Sequence, residues 1–153
     1  MIKTIKTLVS VALIFSAFMS VASCSRRERD AYDILSRFCE AYPIHGTVYN
    51  SNTPENELDD ILTVLFDGEG GRVPRGNLAL MLYGNTDTVS EVGVFVTSFD
   101  HEIIDVIELA ERRISILDDL SEGEGFVIRD REVVVYGFVG DKDRAVRLFK
   151  SIF

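Results

Sequence analysis

The chain reads as an α+β domain with a mostly antiparallel four-stranded sheet, in the order strand, strand, helix, strand, strand, helix, with two additional N-terminal helices. Three observations carry that reading. Apolar residues recur at four- and three-residue spacing from Ile103 through Ile107, Ala110 and Ile114 to Leu117, which is the period of a core-facing helix. On either side of that helix lie runs rich in Val, Phe and Tyr, bounded by Gly and Asp, which suit strands. Aspartates at Asp100 and Asp141 stand where each strand pair gives way to a helix.

The first helix is expected over 30–42. Asp30 is its cap, Ala31, Ile34, Leu35, Phe38 and Tyr42 are its apolar face, and Pro43 is its stop. Residues 44–53 read as a polar loop centred on Asn50-Ser51-Asn52. Thr53-Pro54 then supplies a cap and a first-turn proline for a second helix, with Leu58, Ile61, Leu62 and Leu65 as its stripe. Acids crowd its first turns at Glu55, Glu57, Asp59 and Asp60, where the helix dipole favours them.

Asp67-Gly68-Glu69-Gly70-Gly71 is a flexible break. Strands follow at 77–83 and 89–99, joined by a hairpin loop at Gly84-Asn85-Thr86-Asp87. Asp100 is expected to cap the long helix, on which Val106 and Leu109 widen the apolar stripe. Two more strands occupy 125–129 and 132–139 around a tight turn at Asp130-Arg131. Asp141 then caps a last helix carrying Ala145, Leu148, Phe149 and Ile152.

Both faces of these strands are apolar. Val92, Val94 and Val96 alternate with Phe95 and Phe99, and Val133 and Val135 alternate with Val134, Tyr136 and Phe138. A sheet with one wet face alternates apolar and polar residues instead. The second face is therefore expected to lie under the first two helices, the alternative being a binding surface.

The N-terminus carries a different signal. Lys3 and Lys6 precede an apolar run from Leu8 to Val21, and Ala22-Ser23 leads to Cys24. This is the pattern of a secretory leader, and the run is shorter than the ~20 residues a membrane-spanning helix needs. Val21-Ala22-Ser23-Cys24 resembles a bacterial lipobox, in which cleavage before the cysteine is followed by lipid attachment to its sulfur. The expected organisation is a cleaved signal peptide over 1–23, a lipid-anchored tether over 24–29 and a single domain over 30–153. Cys24 is the lipidation site, the membrane is the first partner, and the place is extracytoplasmic. Arg26, Arg27 and Arg29 follow the anchor and suit an anionic headgroup layer or a solvated tether.

Loss of Lys3 and Lys6 leaves 14 basic residues against 25 acidic ones, a formal charge of −11. A nucleic-acid partner is excluded on that balance. With Cys24 acylated, Cys39 has no partner for an intramolecular disulfide. Its place on the apolar side of the first helix makes it a packed thiol, the alternative being a reactive one. His45 and His101 are the only histidines. A Cys39–His45 nucleophile is the weaker reading because helix-face burial explains Cys39 more simply, and calcium ligation by Asp67 and Glu69 is weaker because the segment lacks the spacing of an EF-hand loop. Arg112-Arg113, near Glu108 and Glu111, reads as a solvated charged face. No catalytic, cofactor-binding or metal-binding residue is assigned.

Two stretches carry a family likeness: the lipobox, and the segment from Glu91 to Phe153 with its closing amphipathic helix. The lipobox, Glu91-Val92-Gly93-Val94-Phe95-Val96 with Asp100, the long helix ending in Glu111-Arg112-Arg113, and Val133-Val134-Val135-Tyr136-Gly137 together resemble small extracytoplasmic lipoproteins of anaerobic Gram-positive bacteria. Those proteins carry an uncharacterised domain. The likeness covers about half of the mature chain and implies no activity. The expectation is a lipid-anchored envelope protein that binds a partner or assists an assembly. The alternatives are an envelope enzyme with an unrecognised site and a small-ligand-binding lipoprotein.

Overall fold

The structure, a computed structural model, describes residues 28–84 and 89–153. The leader, Cys24, most of the tether and most of the hairpin loop at 84–87 lie outside the described residues. Helix α1 spans Ala31–Ala41, strand β1 Thr47–Asn50 and helix α2 Glu55–Leu65. A 3₁₀ turn follows at Gly70–Arg72, then β2 at Leu78–Gly84 and β3 at Val89–Val96. Helix α3 covers Asp100–Leu120, β4 Glu124–Asp130, β5 Val133–Val139 and α4 Lys142–Ile152.

The fold is α+β, and its sheet has five strands in the order β1-β2-β3-β5-β4, every neighbouring pair antiparallel. This corrects the expected four-stranded sheet preceded by two helices. Part of the 44–53 segment is β1, which pairs Thr47 with Leu82 and Asn50 with Ala79. Thr-Val-Tyr is too short a run to show a period, and its partner edge lies some thirty residues further along the chain. Gly46 admits the approach, because a Cβ there would stand 2.5 Å from the Leu82 carbonyl oxygen.

The two early helices are not a joint cover for one face. They lie on opposite sides of the sheet, one per core. Ala31, Ile34, Leu35 and Phe38 of α1 pack with Ala79, Met81, Val92, Val94, Val133 and Val135, together with Ala145 and Phe149 of α4. Leu58, Leu62 and Leu65 of α2 pack with Leu78, Leu80, Phe95, Val134 and Tyr136, together with Ile103, Val106, Leu109 and Ala110 of α3. The period-two alternation of the strands thus feeds two apolar layers, and the molecule is helix, sheet, helix in section. Residues 31–44 and 58–66 are needed on different faces because each face has only one other helix to cover it.

Helix starts are mixed. Asp30 and Asp141 cap α1 and α4, accepting from the backbone N–H of Asp33 and Arg144. Thr53 does not cap α2. Its hydroxyl accepts from the Asn50 N–H at 3.0 Å and closes the turn after β1, leaving Pro54 at the cap. Asp100 does not cap α3 either. It lies inside the first turn, and Phe99 holds the cap position. The stripe of α3 is centred on Val106, Leu109 and Ala110, with Ile107 and Ile114 only half-buried. Strand β3 ends at Val96, so Phe99 is not on the sheet; it is 62% exposed.

Candidate functional site

One pole of the molecule gathers the ends of many elements. The starts of α1, β2, α3 and β5 meet there with the ends of β3, β4 and α4. A cleft of about 710 Å³ opens at this pole, lined by Glu28, Arg29, Arg75, Asn77, Thr97, Ser98, Phe99, Glu102 and Glu132 among others. A smaller hollow on the α1 side shares Glu28 and Arg29 and is closed by Ile152 and Phe153.

Asn77 builds the floor. It precedes β2, and its side-chain oxygen accepts from the Ala31 N–H at 2.8 Å while its amide donates to the Arg29 carbonyl at 2.9 Å. The chain is thereby held in place just before α1. Arg29 reaches across to the β4–β5 turn, donating to the Asp130 carboxylate at 2.5 Å and the Asp130 carbonyl at 3.2 Å. Glu132 lies 3.9 Å from the same guanidinium, and the Phe153 ring is 5.9 Å away. Arg131 makes that turn tight by adopting φ 57°.

The back wall is Thr97, which is buried. Its N–H donates to the Glu132 carbonyl at 2.9 Å, and its hydroxyl accepts from the Phe99 N–H and donates to the Glu102 carboxylate. These bonds set the angle at which the chain leaves β3 and starts α3. Arg75 is held by Asp59, at 2.6 and 2.9 Å, and by the carbonyls of Gly70 and Val73. Both arginines of the cleft are therefore matched by carboxylates of the chain itself. An anionic guest would have to displace those carboxylates.

The residues singled out for chemistry do not converge. Cys39 packs half-buried against the α1–α4 core, and burial pushes its thiol up, away from the thiolate form a nucleophile needs. His45 is exposed between α1 and β1, and His101 lies in the first turn of α3 with its ring 5.8 Å from that of Phe99. Asp67 and Glu69 are on the α2 side, with the sheet between them and Cys39. Glu69 accepts from Arg72 and Arg112, and those hydrogen bonds hold its carboxyl below the usual range. Arg72 also engages Asp105 and Glu108, so this network fastens the 3₁₀ turn to α3. Among the described residues, no group of three His, Cys, Asp or Glu side chains is placed to hold a metal ion. Nor is any helix among them long and apolar enough to cross a membrane.

Half of the expected solvated pair on α3 turns inward. Arg112 is exposed and pairs with Glu108 one turn back at 3.0 Å. Arg113 crosses to β3 and meets both oxygens of Glu91 at 2.9 Å, where Glu91 is 2% exposed. The hydrogen bonds that Arg113 donates to Glu91 raise the guanidinium above its ordinary range. Tyr136 is fully buried beside them, and its hydroxyl sits by the Glu91 carboxylate without a well-formed hydrogen bond. Burial first, then the Glu91 charge, push that hydroxyl well above its usual value. Gly93 leaves the space that the Tyr136 ring fills. In the sequence, the one visible sign of this cluster is an acid within an otherwise apolar strand.

Compared with protein-family models, curated proteins and solved structures, the chain has no match in any of the three, so the likeness to small extracytoplasmic lipoproteins rests on its own residues alone.

Proposed function

We propose that this chain is a lipid-anchored, extracytoplasmic cell-envelope protein that works as a non-enzymatic binding or assembly module, with the polar cleft as its binding site. The observation that carries the reading is the spacing between the lipobox cysteine and the cleft. Cys24 stands four residues before Glu28 and five before Arg29, and both of these residues line the cleft. A lipid on Cys24 would hold the opening beside the membrane, where an envelope protein partner meets it. The thiol of Cys39 supports binding over catalysis, since it is displaced from the cleft and its ionisation is opposed by burial.

The test has two arms. Cells producing the full chain are grown with a labelled fatty acid and fractionated. Label should enter the intact protein and be lost from Cys24→Ala, which should leave the membrane fraction. A Cys24→Ala chain that stays labelled and membrane-bound refutes the anchor. For the cleft, a photo-cross-linker is placed at Ser98, and the adduct is compared with one from Tyr32 on the exposed side of α1. A discrete protein adduct from Ser98 alone supports the binding module.

A further inference from the structure

We infer that the cleft pole is also a membrane-docking surface, on which Phe99 rests in the headgroup region of the bilayer that holds the anchor. The inference depends on lipid attachment at Cys24 and adds an orientation to it. From Cys24 to Glu28 there are four Cα steps, which at full extension reach about 14 Å. Glu28 is fixed to the pole through its neighbour Arg29, which holds Asp130, and through Asn77. The pole at Glu28 therefore cannot move further than that from the membrane surface.

Phe99 is the apolar side chain this places against the bilayer. It lines the same cleft as Glu28 and is 62% exposed, although the strand before it is almost wholly buried. Removing an exposed aromatic ring from water is favourable and acts as a second contact for a chain tethered by acyl groups. Arg26 and Arg27 beside the anchor suit anionic headgroups, but the charge around Phe99 itself does not. Asp100 is next to Phe99 and 91% exposed, with Arg129 3.7 Å away, and Glu28 is also exposed. The seat is therefore aromatic, and a zwitterionic bilayer suits it. At the other end of α3, Leu120 is 73% exposed. The 21-residue helix separates the two by roughly 30 Å.

The chain has no tryptophan, so Phe99→Trp and Leu120→Trp each place a single tryptophan, excited apart from the tyrosines, at an exposed position. Each full-length acylated variant is reconstituted into phosphatidylcholine vesicles and floated on a density gradient. Its fluorescence is then measured with and without brominated acyl chains. The expected result is that both variants float, with Phe99→Trp quenched at least twofold more than Leu120→Trp. Flotation with equal quenching, or with neither quenched, overturns the docking surface and leaves the pole to a protein partner. Failure to float overturns the lipid anchor, and the docking surface with it.

Discussion

Arg113→Ala isolates a buried carboxylate. Glu91 is 2% exposed, and Arg113 donates two hydrogen bonds of 2.9 Å to its carboxylate. Breaking a buried pair by removing one member costs about 3–5 kcal/mol, most of it the desolvation of the charge left behind. The Arg113 side chain is 18% exposed, so some water reaches the pair and the lower end applies, about 3 kcal/mol. With a urea slope of roughly 1.5 kcal/mol/M for a domain of this size, the midpoint should fall by about 2 M. The reverse substitution, Glu91→Gln, should cost about half as much, because the Arg113 stem lets its guanidinium swing towards solvent. Replacing both residues with leucine should recover most of the loss. The assay is equilibrium urea unfolding of the soluble form beginning at Ser25, followed by circular dichroism. A loss below about 1 kcal/mol for Arg113→Ala would refute the argument, since a charge stranded in the core cannot be that cheap.

Tyr136→Phe removes a buried hydroxyl that makes no well-formed hydrogen bond, so stability at pH 7 should rise by about 1 kcal/mol in the same assay; a loss of that size would mean the hydroxyl is bonded to Glu91. The folded state holds the Tyr136 proton above the ordinary value of about 10, so that contribution is complete below pH ~10 and is lost as the pH climbs past it. Alkaline titration of stability should therefore show a downward slope that is shallower in Tyr136→Phe. Leu109→Asp buries an unpaired charge at a residue that is 1% exposed and should abolish folding, while the exposed Glu111→Ala should change stability by under about 0.5 kcal/mol. Cys39 should react with a bulky thiol reagent more slowly in native protein beginning at Ser25 than in urea; equal rates would place the thiol in open solvent.

Much of the element pattern was legible because local chemistry writes it. The four-three stripe of α3, the Asp30 and Asp141 caps, the Pro43 stop and the two-sided apolar strands are each properties of neighbouring residues. Two-sided burial was readable too, since alternating Val and Phe leave no wet face on β3 or β5. The acidic balance, and the N-terminal pattern that resembles a leader and lipobox and lies outside the described residues, are likewise properties of the linear chain.

Other features exist only through contacts between distant segments. Strand β1 has four residues and no period of its own, and becomes a strand because the β2 edge offers its backbone partners. Which helix covers which face follows from how each segment enters the sheet, and composition is silent on that: α1 and α2 have equally apolar stripes, yet lie on opposite sides. Arg112 and Arg113 are adjacent and chemically identical, and a step of about 100° around α3 sends one to solvent and the other to Glu91. The cleft is the clearest case. Glu28, Asn77, Thr97 and Glu132 are scattered over more than a hundred residues, and only the stacking of strand ends at one pole brings their polar groups together.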